Sequence, residues 1–210
     1  MDDTRQRLLN VAGEMFAKKG YEATTVREIC AQAEANIAAV HYHFGDKEQL
    51  YIEAVRIAAC HAGEPIQFDW TEQPPPEERL RQFIRHMMTM MLKEDRPAWH
   101  IELMMREMAQ PTRACAELVR TYIGSMFSQL MAIVLSLLPS NTPLIQQHLQ
   151  AFSIVAQCLL YRYHRPVGRL LIGEDEYQIL LDLDLLTDQI VQFSLGGLEK
   201  IRRQFQEPAS

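Results

Sequence analysis

The sequence predicts an all-α protein. Apolar residues recur at helical spacing in almost every segment. Short apolar runs open on a hydroxyl or carboxylate that can cap a helix. Prolines fall mostly between the periodic runs. No segment alternates apolar and polar residues convincingly, as a half-buried strand would.

The first helix is expected over about residues 4–19, with Leu8, Ala12, Met15 and Phe16 on one face and Gly20 ending it. Thr25-x-x-Glu28 reads as a capping box opening a short helix to about residue 33. A third helix runs over about 37–44, and Gly45 breaks it. Asp46 with Gln49 forms a second cap, and the fourth helix follows to about Cys60. The stretch from Gly63 to Pro76, with Pro65, Pro74, Pro75 and Pro76, is the one clear loop. Helices then follow at about 77–93, 97–109, 111–138, 143–163 and 175–206, about nine in all.

Of the 210 residues 48% are apolar, enough to fill a real core. The formal net charge of −6 speaks against wholesale attraction to nucleic acid. Residues 1–50 hold six basic and eight acidic residues, so any DNA contact there must come from a few well-placed groups. Cys30, Cys60, Cys115 and Cys158 are far apart, without zinc spacing, and fit a reducing cytoplasm. The acidic start, Met1-Asp2-Asp3, lacks the basic and apolar regions of a signal peptide. The apolar run at residues 131–138 is far shorter than the roughly 20 residues that span a bilayer. No membrane partner, cofactor or metal is expected. His41 and His43 lie two apart on a helix, about 200° around its axis, and so cannot share one ion. No nucleophile paired with a base and no phosphate-binding glycine loop points to catalysis.

Two short helices joined by a tight turn behind a longer supporting helix form a helix-turn-helix, whose second short helix enters the major groove. Ala38 and Ala39 are small enough to let that helix approach base edges and touch a thymine methyl. His41, Tyr42 and His43 can donate to phosphates. Lys47, at the start of the next helix, adds its charge to a helix N-terminus that favours phosphate.

The pattern Phe16-Ala17-x-x-Gly20-Tyr21-x-x-Thr24-Thr25-Val26-x-x-Ile29, then Ala39-Val40-x-Tyr42-x-Phe44-x-x-Lys47-x-x-Leu50, resembles the N-terminal domain of the TetR family. The resemblance covers roughly the first quarter of the chain. It implies a three-helix DNA-binding domain, residues 1–50, and a ligand-binding and dimerisation domain, residues 51–210. It further implies a homodimer on palindromic double-stranded operator DNA, released by a small-molecule effector. Thr25 and Arg27 would meet phosphates or a groove edge, and Ala38, Ala39, His41, Tyr42, His43 and Lys47 would form the recognition set. Where the family has a Gly-Val pair before the recognition helix, this chain has Asn36-Ile37. Asn accepts either a left-handed or a capping conformation there.

The run Glu102-Leu103-Met104-Met105-Arg106-Glu107-Met108-x-x-Pro111, with Gln157 and Tyr161, is similar to the CecR-like branch of the family. That likeness implies sensitivity to antibiotics or other foreign compounds. Nine of the eleven methionines lie between Met87 and Met131. They read either as a deformable ligand pocket or as ordinary bundle core. Met104, Met108, Tyr122, Met126 and Phe127 are the expected lining residues, with His100 and Gln157 as polar anchors. Glu102, Arg106 and Glu107 read as solvated charges or surface ion pairs.

Ile145, Leu149, Phe152 and Leu159 form one apolar stripe, and Leu186, Ile190, Phe193 and Ile201 another. With Gly197 they are expected at a dimer interface, intramolecular packing being the other reading. Gly196-Gly197 within a helix makes sense where another helix crosses closely. A ligand-binding bundle or small enzyme with a degenerate helix-turn-helix, and a purely structural interaction protein, are the alternative functions. A co-repressing effector is the alternative mechanism.

Overall fold

A computed structural model describes residues 3–60, 68, 70, 73–92 and 97–206. Most of the loop expected from Gly63 to Pro76 lies outside these residues. Among the described residues every regular element is helical. In chain order these are α1 (Asp3–Lys19), α2 (Val26–Gln32), α3 (Ile37–Phe44), α4 (Lys47–Cys60), α5 (Pro76–Leu92) and α6 (Ala98–Ala109). There follow α7 (Arg113–Leu118), a π-helical turn (Val119–Ile123), α8 (Gly124–Leu137), α9 (Leu144–Tyr163), α10 (Arg165–Ile172), α11 (Glu174–Leu180) and α12 (Leu183–Phe205).

Three boundaries differ from expectation. The segment at 111–138 contains the π turn, in which the Gly124 N–H bonds the Val119 carbonyl. A Cβ on Gly124 would lie 2.8 Å from that oxygen, so glycine suits the bulge. The segment at 175–206 breaks because Asp182 caps a new helix, accepting from the Leu185 N–H at 2.8 Å. Helix α10 was not expected at all, although Pro166 in its first turn and Gly173 after its end are a readable start and stop.

Counted through the π turn, the helix Arg113–Leu137 has 25 residues and is apolar enough to cross a bilayer. The expectation of an apolar segment too short for this rested on the run at 131–138, and the helix is longer than that run. Leu130, Ile133 and Val134 on it are buried in protein core, and Arg113, Glu117 and Arg120 charge its first turns.

The chain forms two compact units, Met1–Ile66 with Asp95–Ser125 and Gln67–Glu94 with Met126–Ser210. In the first, Leu8, Leu9, Phe16, Ile29, Val40, Leu50 and Leu103 are fully buried. Helix α6 lies against α1 because Gly13 presents no side chain, and a Cβ there would stand 2.5 Å from the Trp99 ring. Arg106 donates to the Ala17 and Lys18 carbonyls, both at 3.2 Å, closing the C-terminus of α1. The Glu107 carboxyl accepts from the Tyr51 hydroxyl at 2.6 Å and from the Thr112 N–H and hydroxyl at 2.6 and 2.8 Å. Neither residue is a solvated surface charge. Glu107 is 1% exposed, because the 3.6-residue period turns it inward against α4.

In the second unit Leu80, Phe83, Ile84 and Met88 of α5 pack with Leu130 and Ile133 of α8, Ile154 and Cys158 of α9 and Leu186, Ile190 and Leu198 of α12. Burial pushes the Cys158 thiol up to about 12. Arg81 pairs with Asp188 and Arg85 with Asp184, joining α5 to α12. Arg162 and Arg165 donate to the last carbonyls of α5, at Met91 and Leu92.

Candidate nucleic-acid interface

The site is built from local capping. The Thr25 hydroxyl accepts from the Glu28 N–H at 3.2 Å while the Thr25 N–H donates to the Glu28 carboxylate at 2.9 Å, completing the capping box of α2. Lys19 adds an ion pair to Glu28 at 3.0 Å. The Lys19 ammonium, followed by the Thr25 backbone and hydroxyl, holds the Glu28 carboxyl down to about 2. Thr25 is exposed, but its hydroxyl already serves its own helix.

The turn after α2 is a Schellman closure. The Ala35 N–H bonds the Cys30 carbonyl at 2.9 Å, and Glu34 takes the left-handed conformation at φ 48°. Asn36 is extended, and its side-chain oxygen accepts from the Ala38 N–H at 3.0 Å, so it caps α3. Of the two conformations open to Asn36, capping is the one adopted, and the left-handed position falls two residues earlier. At the far end Gly45 has φ 85°. The Gly45 carbonyl can only accept, so Nδ1 of His41, 2.7 Å away, carries the proton and donates. The Asp46 side chain then accepts from the Gln49 N–H at 2.8 Å and starts α4.

Val40 and Phe44 hold α3 on the unit's core. Its outward side carries Ala38, His41 and Tyr42, with Ala39 and His43 half-buried beside them. Tyr42 is 84% exposed, and its ring stands edge-on to His43. Ile37 is 41% exposed at the N-terminal end of the same helix. It was not among the expected contacts. Arg27 is exposed and has no ion-pair partner among the described residues. Lys47 is half-buried, its ammonium 4.3 Å from the Tyr21 ring centre. Tyr21 contacts the Tyr51 ring at 4.9 Å, and Tyr51 bonds Glu107. The side chains from Glu107 to Lys47 therefore touch in sequence.

Of the residues expected around an effector, His100, Met104, Met108 and Tyr122 belong to the first unit and Met126, Phe127 and Gln157 to the second. His100, Met104 and Tyr122 are buried, and Met108 is exposed. The Gln157 amide donates to the Ser153 carbonyl and the Ser194 hydroxyl. Phe127 lies 5.3 Å from the Phe152 ring. An open groove of about 670 Å³ in the second unit is lined by other residues, among them Leu92, Arg165, Ile179, Asp182 and Leu185.

The expected interface residues divide. Leu186 and Ile190 are 2% and 1% exposed and belong to the unit's own core, so they do not reach the surface. Leu159, Gly197 and Ile201 are partly covered. Ile145, Leu149, Phe152 and Phe193 are exposed. A Cβ on Gly196 would meet nothing within 4 Å, so no crossing within the chain requires that glycine.

Comparison with known proteins supplies the context. Residues 8–54 match the family described as bacterial regulatory proteins, tetR family. Residues 76–198 match the C-terminal domain of the HTH-type transcriptional dual regulator CecR. The CecR protein of Shigella flexneri is 27% identical over 172 residues, covering 77% of this chain and 76% of its own length. The HTH-type transcriptional regulator QacR of Staphylococcus aureus is 42% identical over 53 residues, 25% of this chain and 28% of its own. Among solved structures the hemolysin II transcriptional regulator HlyIIR aligns with a TM-score of 0.60 at 21% identity, over 91% of this chain and 97% of its own.

Proposed function

This chain belongs to the TetR family of bacterial regulatory proteins, with a C-terminal domain of the CecR type, and we propose that it is a dimeric repressor released from a palindromic operator by a small molecule. The observation that carries the reading is the outward face of α3. Ala38, His41 and Tyr42 stand clear on a helix whose two ends are closed by Asn36 and by His41 with Gly45. Thr25, Arg27, Ala39, His43 and Lys47 surround that face as phosphate and groove-edge contacts. Two such heads, related by a two-fold axis, address successive major grooves.

The exposed row Ile145, Leu149 and Phe152 on α9, with Phe193 on α12, supports pairing of two copies. Gly196 is the position where a partner helix would come close. An effector is bound by the C-terminal helices and favours a conformation unsuited to DNA, so that operator affinity falls. Met126, Phe127 and Gln157 are contacts assigned to it in the second unit. The protein works in the cytoplasm, without a membrane or a cofactor.

Selection of bound sequences from random duplex DNA, at near-physiological salt, tests the reading. Wild type is expected to enrich a palindrome that the Tyr42→Ala, Lys47→Ala double variant does not. No enrichment with or without candidate compounds would overturn it.

A further inference from the structure

Resting on α3 as the helix that enters the major groove, we infer that it reads its operator through thymine methyl groups and makes no guanine contact of its own. Guanine presents two acceptors, O6 and N7, whose usual partner is the forked or ammonium donor of Arg or Lys. From Asn36 to Gly45 there is no Arg, Lys or Gln. The Asn36 amide oxygen is bonded to the Ala38 N–H, which removes one half of the paired contact by which Asn recognises adenine. His41 has Nδ1 engaged with the Gly45 carbonyl and offers a single nitrogen.

At its N-terminal end α3 presents apolar groups instead, while His41, Tyr42 and His43 lie farther along the helix, where they can donate to phosphates. Ile37 is exposed at the N-terminal end, the part of a recognition helix that meets base edges, and Ala38 follows it. The thymine 5-methyl is the base-edge group that such side chains can bury. Residues 1–50 carry more acid than base, so general attraction to phosphate is weak and base contacts must supply more of the affinity.

The test uses the full chain and the duplex it selects. The motif is expected to place thymines under α3. Replacing each with deoxyuridine removes only the methyl, and binding should fall about fourfold at each contacted position. In Ile37→Ala one of those positions should become indifferent to the replacement. Binding by wild type that ignores uracil at every position overturns the inference and leaves the repressor reading intact. So does a motif whose information lies in G·C pairs and persists in both Arg27→Ala and Lys47→Ala. Failure to select any sequence overturns both.

Discussion

Tyr51 and Glu107, 56 positions apart, meet in a buried hydrogen bond of 2.6 Å from phenol to carboxyl. The Thr112 N–H and hydroxyl take the other carboxyl oxygen, so one side chain joins α4, α6 and the cap of α7. Tyr51→Phe leaves a buried acceptor unpaired and is expected to cost about 1–3 kcal/mol in urea unfolding. Burial first, and the bond to Glu107 second, push the Tyr51 phenol above its ordinary value of 10.0. Above pH 10 the unfolded chain therefore releases this proton while the folded chain keeps it, and stability falls as pH rises. Part of that alkaline loss should vanish in Tyr51→Phe. An unchanged alkaline limb would show that other groups govern it.

Glu34 holds a left-handed backbone that disfavours a side chain by roughly 1–2 kcal/mol. Glycine relieves this but loses some of the gain to a freer unfolded chain. Glu34→Gly is therefore expected to stabilise the protein by about 0.5–1 kcal/mol, read as a higher urea midpoint with unchanged slope. A lower midpoint would mean that the Glu34 side chain makes a contact of greater worth.

Phe152 and Phe193 are 62% and 66% exposed, so aspartate at either should leave the protomer folded. Sedimentation of Phe152→Asp and Phe193→Asp is expected to show monomers where wild type shows dimers. Gly196→Ala should raise helix stability by up to about 1 kcal/mol in the protomer, while weakening the dimer if a partner helix crosses there. Dimers unaffected by all three variants would place the interface elsewhere.

Arg27 and Lys47 are the cations assigned to phosphate in each head. A dimer would then neutralise about four phosphates, with a slope of log affinity against log salt of about −4. Arg27→Ala should make that slope shallower by about 2 units. A much steeper wild-type slope would require basic contacts outside α2–α4.

The helix-turn-helix was legible because each part of it depends on residues within a few positions. Thr25 with Glu28 and Asp46 with Gln49 are capping pairs, and they occur in the structure as spaced. The exposure of Ile37 was not legible, because nothing near it in the sequence records which side of α3 meets the core. Glu34 was missed because a left-handed position advertises itself in sequence only when glycine occupies it.

The sequence by itself determined that this protein is helical, where most of its helices begin and end, and that its N-terminal part holds a helix-turn-helix. Periodicity and capping are interactions between near neighbours, so they survive translation into one dimension. Only the tertiary structure decided which side of each apolar stripe is covered. Leu186 and Ile190 went into the core while Phe193, three residues on, stayed outside. It also decided that Glu107 is buried under Tyr51 and that Trp99 lies over Gly13. An apolar stripe wider than about 100° can face either its own bundle or a partner. The choice depends on which distant helix arrives against it, and nothing within four residues of the position records that.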